Sequence, residues 1–149
     1  MTDKRQVANV EKSLRRIAYI VKQRGREILN QFPITPPQFV ALQWLHEKGD
    51  MTIGELSNKM YLACSTTTDL VDRMEKNDLV ERIKDKSDRR VVRIHLLEKG
   101  KTIIQEVVKE RQDYLSEVLE DFSEQEVDQL EKILASLHRE MESEHAYER

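Results

Sequence analysis

Apolar residues recur at alternating spacings of three and four over the first thirty positions of the chain, with lysines and arginines between them. The same spacing returns in two segments towards the other end. It places side chains along one stripe of an α-helix, which is suited to packing against other helices. The pattern therefore predicts three long amphipathic helices. Their apolar positions are Val7, Val10, Leu14, Ile17, Val21 and Ile28; Ile103, Ile104, Val107, Val108, Tyr114, Leu115, Val118, Leu119 and Phe122; and Val127, Leu130, Leu134, Leu137 and Met141.

These stripes are longer than one small core requires. A chain of 149 residues has the length of a single domain, so we expect one domain over residues 1–149. Part of each stripe belongs to the intramolecular core, but the short elements between them do not cover the rest. The sequence predicts a homodimer that is built from both ends of the chain, residues 1–31 and 98–144.

The composition limits the cellular location and the kind of partner that the chain is expected to have. No apolar run approaches the roughly 20 residues that a membrane span needs, and the opening residues MTDKRQ do not form a signal sequence. One cysteine, Cys64, excludes an internal disulfide and predicts a reduced, cytoplasmic location. Residues 1–97 carry 18 lysines and arginines against 13 acidic residues, whereas residues 98–149 carry 7 against 15. The basic first part is compatible with a polyanionic partner.

Helix boundaries are marked by capping residues. Thr35 stands before two prolines and three positions before Gln38, and Thr52 and Ser123 each stand three positions before a glutamate. Such pairs satisfy the free backbone donors of a helix start, so helices should begin near residues 36, 53 and 124. The segments 48–50 and 76–78 should end two helices.

The middle of the chain then shows a recognisable order of elements. It predicts helices at 38–47, 53–60 and 65–76, a turn at 61–64, and strands at 79–84 and 91–96 around a charged tip. A short helix, a tight turn, a second helix and a hairpin form a winged helix-turn-helix, here within residues 36–97. The expected fold is mainly α (α+β), with a two-stranded wing between long terminal dimerisation helices.

Four hydroxyl residues, Ser65, Thr66, Thr67 and Thr68, open the second helix of that motif. One of them should cap the helix, and capping alone does not account for four, because β-branched residues are mediocre helix formers. On a recognition helix, hydroxyls bond phosphates and base edges. Arg73 lies two turns further along and either reaches the DNA backbone or pairs with Asp69.

The charged tip has the sequence DKSDRR at residues 85–90. A tip in water accounts for the charge but gives no role to an acid among bases. Beside a recognition helix, the tip lies near the minor groove, whose negative potential attracts arginine. We therefore predict that Lys86, Arg89 and Arg90 contact DNA and that Asp88 orients Arg90 through charge-assisted hydrogen bonds.

The chain resembles the MarR family of bacterial transcriptional regulators over nearly its whole length. The most specific match is Asp88-Arg89-Arg90 followed by VRIHL at residues 92–96 and by Gly100. The resemblance implies a homodimer on an inverted-repeat operator, with Arg90 in the minor groove and the helix that Ser65 opens in the major groove. It also implies repression that a small molecule or an oxidant relieves. Leu97 stands where the family usually has threonine, so the following helix lacks the expected hydroxyl cap.

Other chemistry receives little support. The sequence shows no metal-binding spacing, no nucleophile with a base and no glycine-rich phosphate loop, so we expect neither an enzyme nor a cofactor.

The resemblance implies an effector cleft near Tyr19 and Trp44, which are equally compatible with core positions. Oxidation of Cys64 would block DNA binding, although a plain turn position accounts for it as well. The alternative function is a winged-helix adaptor that binds proteins and lacks DNA affinity.

Overall fold

The computed structural model describes residues 2–147, with side chains as far as residue 143. It confirms the expected fold class: this part of the chain forms six helices and one small two-stranded antiparallel sheet. The elements are α1 (Lys4–Leu29), α2 (Pro36–Lys48), α3 (Ile53–Met60), α4 (Cys64–Lys76), β1 (Val80–Lys84), β2 (Val92–Leu96), α5 (Glu98–Val118) and α6 (Glu124–Tyr147). Two compact units follow one another along the chain, and the boundary between them falls after Arg111.

The predicted helix starts are confirmed by their hydrogen bonds. The backbone N–H of Gln38 donates to Thr35 Oγ1 at 3.4 Å, and Gln38 Oε1 accepts from the N–H of Thr35 at 3.0 Å. The same reciprocal pair links Thr52 with Glu55 at the start of α3. It also links Ser123 with Glu126 at the start of α6. Each pair satisfies two backbone groups that the first helical turn leaves without a partner.

The predicted helix ends are also confirmed. Gly49 follows α2 with a φ of 83°, a conformation that glycine adopts without steric cost. Asn77 follows α4, and Asp78 takes a φ of 59° before the chain enters the sheet. Aspartate tolerates this left-handed conformation better than most residues do.

The core of the first unit lies where α2, α3, α4 and the sheet meet. Leu42, Leu56, Val71, Met74 and Ile94 are fully buried, and together they come from all of these elements. Burying a side chain of this size stabilises the fold by roughly 1.5–3 kcal/mol. The wing strands are therefore anchored in the same core as the helix-turn-helix.

The sheet is shorter than the sequence suggests. β1 pairs antiparallel with β2 from Val80 opposite Leu96 to Lys84 opposite Val92. Leu79 and Val91 lie outside the strands, so the tip has seven residues instead of six. The N–H of Met51 donates to the carbonyl of Ile94, and the reverse bond is also present. This bridge ties β2 to the start of α3.

The terminal helices leave much of their apolar surface uncovered. On α1, Val7, Val10 and Ile17 are each slightly more than half exposed. On α6, Ile133, Leu134 and Met141 are exposed to a similar extent. No helix among the described residues is long and apolar enough to cross a membrane.

Candidate nucleic-acid interface

The start of α4 differs from the prediction in one respect. The helix begins at Cys64, and the residue before it, Ala63, provides no side-chain cap. The expectation that a hydroxyl caps this helix is therefore wrong. Ser65 and Thr66 are exposed in its first turn. Their hydroxyls remain available to a partner outside the chain.

The next two hydroxyls point back along the helix. Thr67 donates to the carbonyl of Ala63 at 3.1 Å, and Thr68 donates to the carbonyl of Cys64 at 2.8 Å. Thr67 is fully buried, so it supports the core and is removed from the set of candidate contacts. Thr68 is half-buried with its hydroxyl proton already donated. A hydroxyl bonded in this way uses its donor within the helix.

Arg73 is exposed on the surface of α4. No ion pair joins it to Asp69, although both residues are within the described part of the chain. A separation of seven residues places Arg73 on the same face of the helix as Thr66. One exposed strip of α4 therefore presents a hydroxyl near its start and a guanidinium two turns later.

The wing tip is a turn organised by one carboxylate. Asp85 Oδ2 accepts from the backbone N–H of Ser87 at 3.1 Å and from that of Asp88 at 3.0 Å. Asp85 Oδ1 accepts from Arg93 Nε at 3.1 Å. The hydrogen bond from Arg93 and the backbone bonds lower the pKa of Asp85. The carboxylate therefore stays ionised and holds the turn.

The predicted contact between Asp88 and Arg90 is present. Arg90 Nε donates to Asp88 Oδ1 at 3.1 Å, and Arg90 Nη2 donates to Oδ2 at 3.2 Å. This two-point bond lowers the pKa of Asp88. The Arg90 side chain is nevertheless 91% exposed, so it is held in place and still open to solvent. Fixed orientation with an open face is what binding an anion requires.

Two further cations stand at the tip. Lys86 and Arg89 are exposed, and neither makes an ion pair within the part of the chain that the structure describes. Asp85 and Asp88 are each matched by an arginine. The surplus positive charge of the tip therefore comes from Lys86 and Arg89.

Ion pairs that the sequence analysis missed tie the wing to the helix-turn-helix. Arg82 of β1 donates to Glu75 at 2.7 Å and to Asp72 at 2.6 Å, both on α4. Arg93 of β2 donates to Glu55 of α3 at 3.4 Å, in addition to its bond with Asp85 at the tip. Polar side chains that alternate with apolar ones along β2 are the one sequence signal for such anchors. They hold the wing tip and the recognition helix in a fixed relation.

A cavity of about 300 Å³ lies in the first unit. Arg111 is its most unusual side chain: its Nε is buried without a hydrogen-bond partner among the described residues. The guanidinium carbon lies 4.8 Å from the centre of the Phe39 ring, and burial lowers the pKa of Arg111. The lining is Val21, Lys22, Gly25, Arg26, Leu29, Pro36, Phe39, Val40, Gln43 and Arg111, with no carboxylate among these residues.

The two aromatics that the resemblance associates with an effector cleft do not line this cavity. Tyr19 is well exposed on α1, and its hydroxyl accepts from Gln23 at 2.8 Å. Trp44 is half-buried against the core, with Lys59 Nζ 5.4 Å from the centre of its ring. Neither lines the cavity beside Arg111.

Comparisons with known proteins place this geometry in a family. A model of the MarR family matches residues 34–92. The HTH-type transcriptional regulator YsmB of Bacillus subtilis (strain 168) is 68% identical over 135 residues, which cover 91% of this chain and 92% of that protein. The chain belongs to the MarR family. The family members are DNA-binding transcriptional regulators without enzymatic activity, and this chain is a DNA-binding regulator of that kind.

Two further comparisons extend the match. A MarR family protein from Bacillus stearothermophilus has a TM-score of 0.86 and 63% identity, and the alignment covers 95% of this chain and 99% of that one. The HTH-type transcriptional repressor MdtR of Bacillus subtilis is 26% identical over 131 residues, which cover 88% of this chain and 84% of that protein. The winged-helix fold of this MarR protein is therefore shared well beyond the matched segment.

Proposed function

We propose that this MarR protein is a homodimeric repressor that binds an inverted-repeat operator and is released by a small molecule. In each subunit, α4 enters the major groove and the wing tip reaches the adjacent minor groove. Ser65, Thr66 and Arg73 contact DNA from α4, with Thr68 beside them. Lys86, Arg89 and Arg90 contact DNA from the wing, with Asp88 orienting Arg90. Two recognition helices related by a twofold axis should lie about 34 Å apart, one turn of DNA.

The observation that carries this proposal is the state of Arg90. Its side chain is 91% exposed, and yet its guanidinium is fixed by two bonds to Asp88. An exposed surface ion pair contributes little to stability, so folding alone does not account for it. An arginine held in one orientation loses less entropy when it enters a narrow minor groove.

The uncovered apolar surface of the terminal helices supports the proposed dimer. Along α1, half-exposed apolar side chains repeat at the spacing of a helix-packing stripe. An apolar patch of this extent is a feature of interfaces between subunits. An inverted-repeat operator requires the same twofold arrangement.

Repression with release by a small molecule rests on two supports. The relative MdtR is a repressor by name, which favours repression here. The cavity beside Arg111 combines apolar walls with three cations and an unpartnered guanidinium nitrogen. Such a site favours an organic anion with an apolar body, because the buried cation gains a partner.

Operator binding is tested with the segment upstream of the protein's own coding sequence, by fluorescence anisotropy at several salt concentrations. We expect Arg90→Ala to weaken binding by about 1–3 kcal/mol and leave the dimer intact. The salt dependence should fall by about one released counterion for each phosphate that the variant no longer touches. Arg16→Ala is the matched control, because Arg16 is an exposed arginine on α1, outside the helix-turn-helix and the wing.

Three outcomes would contradict the proposal. The wing assignment fails if Arg90→Ala binds as tightly as the parent protein does. A footprint that covers one asymmetric half-site contradicts the twofold arrangement. An absence of binding at low salt favours the protein-binding adaptor instead.

Release is tested in the same assay with benzoate as a simple aromatic anion. Benzoate should weaken operator binding by the parent protein, and Arg111→Met should abolish this response while it retains operator affinity. Methionine preserves much of the apolar volume of the side chain and removes its charge. Equal sensitivity of parent and variant would exclude Arg111 as the anion-binding group.

A further inference from the structure

A chain of ionic contacts runs from α3 to the tip of the wing. It begins at Glu55, whose backbone N–H and carboxylate belong to the capping pair of α3. Arg93 joins Glu55 at 3.4 Å to Asp85 at 3.1 Å. Asp85 then accepts from the N–H of Asp88, which holds Arg90. Together these contacts link the body of the helix-turn-helix to the exposed guanidinium of Arg90.

The inner members of this chain differ from the outer ones in exposure. The side chains of Arg93 and Asp85 are 35% and 24% exposed, compared with 91% for Arg90. Arg93 therefore lies behind the tip, with its guanidinium already used by two carboxylates. A cation that is occupied by two acids is poorly placed to contact a phosphate itself.

We propose that Asp85 and Arg93 are positioning residues for DNA binding: they fix the wing tip against α3 so that Arg90 is presented to the minor groove. This inference deepens the proposed function and depends on it. Asp85 acts by holding the N–H groups of Ser87 and Asp88, and Arg93 acts by holding Asp85. Neither residue is required to touch DNA.

The proposal and simple electrostatics predict opposite changes in DNA affinity when Asp85 is replaced. A carboxylate at the tip of the wing repels the phosphates, so removing its charge should strengthen DNA binding if charge alone matters. Removing Asp85 also releases the turn that carries Arg90. If Asp85 positions the tip, its loss should weaken binding despite the more favourable charge.

The first experiment compares Asp85→Ala with Glu81→Ala in operator binding. Glu81 is an exposed acid on β1 and makes no ion pair within the described part of the chain, so its removal changes the wing charge equally. We expect Asp85→Ala to weaken binding about tenfold and Glu81→Ala to leave it equal or slightly tighter. Asp85→Asn keeps an oxygen acceptor for the turn and should recover part of the loss. If Asp85→Ala binds as tightly as Glu81→Ala, the proposal is overturned.

The second experiment places Arg93→Gln in the parent protein and in Arg90→Ala. A residue that acts through Arg90 loses its effect once Arg90 is absent, so the loss of about tenfold should shrink to less than about twofold. A direct phosphate contact by Arg93 would instead persist in both backgrounds and lower the salt dependence by about one ion. That result would overturn the positioning role.

Folding and the proposed function are controlled separately. Thermal unfolding of each variant shows whether the wing change has spread to the core, and Arg93→Gln supplies an independent answer if Asp85→Ala unfolds. Failure of the parent protein to bind the operator would refute the proposed function. Binding by the parent that depends on Arg90 but not on Asp85 or Arg93 would refute only this inference.

Discussion

Arg90 is held by an ionic interaction that is entirely local in sequence. Its backbone N–H and its guanidinium both donate to Asp88, two residues earlier in the chain. A partner this near in sequence needs no tertiary contact to find its place. The acid also reduces the charge that the tip presents. Its benefit is therefore the orientation that it imposes on the guanidinium, at some cost in attraction to DNA.

The titration of Asp88 should report this contact directly. Because Arg90 lowers the pKa of Asp88 below its ordinary value of 3.8, the stabilising pair is fully present above that value. It is lost as the pH falls through the lowered pKa. In Arg90→Ala, the pKa of Asp88 should rise towards 3.8. Carboxyl NMR shifts recorded against pH measure this change.

Asp85 provides the internal reference for that titration. Its pKa is lowered chiefly by Arg93, so it should stay low when Arg90 is replaced. A carboxyl shift of Asp88 that titrates identically in parent and variant would show that the pair does not form in solution. Both carboxylates are ionised at neutral pH, so the contacts of Asp85 with Arg93 and of Asp88 with Arg90 should not change between about pH 6 and pH 8.

At the scale of the elements, the sequence predicted helices wherever a local signal was complete. Thr35 with Gln38 and Thr52 with Glu55 are reciprocal pairs three residues apart, and each began a helix as expected. α4 opens with four hydroxyl residues, but none caps it, and Thr67 and Thr68 instead donate to carbonyls of the preceding turn. Residue types alone do not distinguish a capping hydroxyl from one bonded to the preceding turn.

The wing anchors were beyond sequence reasoning for a different reason. Arg93 and Glu55 are separated by 38 residues, and Arg82 meets two acids of α4 only because β1 folds back beside it. In a chain rich in charge, the sequence offers many possible acidic partners for every arginine, and only the fold determines which of them comes close. The hydrophobic pattern determines which elements meet, and the pairs follow from that packing.

Gly100 allows a test of how tightly α5 packs on the wing. A Cβ at this position would lie 2.7 Å from the carbonyl oxygen of Leu79 and 2.7 Å from a methyl carbon of Leu96. Gly100→Ala should therefore destabilise the protein by about 1–3 kcal/mol through overpacking. The free energy of unfolding in urea measures this cost.

Gly54 is the matched control for that substitution. It also lies near the start of a helix, but a Cβ there would meet only the hydroxyl oxygen of Thr52 at 3.9 Å. Gly54→Ala should leave stability unchanged or raise it by up to about 1 kcal/mol, because alanine favours the helix. Equal effects at the two positions would contradict the tight contact between α5 and the wing.

At the scale of the whole molecule, the helices at the two ends of the chain both leave apolar side chains exposed. α1 buries Ile28 and Leu29 near its end but leaves its earlier apolar residues half exposed. α6 has no buried side chain up to residue 143. Helices of this length gain most of their stability by packing an apolar face. These helices therefore need a partner surface, and a second subunit supplies one in the proposed dimer.

Val10 tests this proposal because it is 53% exposed and its replacement leaves the core of the first unit untouched. Val10→Glu should shift the protein from dimer to monomer in sedimentation velocity, because it buries a charge in the subunit interface. Operator binding should then fall by about 100-fold or more, since two half-sites are no longer bound together.

Lys12→Glu is the control, because Lys12 lies on the opposite face of α1 and the substitution changes the charge by twice as much. It should remain a dimer. If both variants were dimeric, the stripe on α1 would not be the interface. If Val10→Glu were monomeric yet bound the operator normally, one subunit would suffice and the twofold arrangement would be unnecessary. Loss of both properties in Val10→Glu alone therefore ties the apolar stripe to DNA recognition.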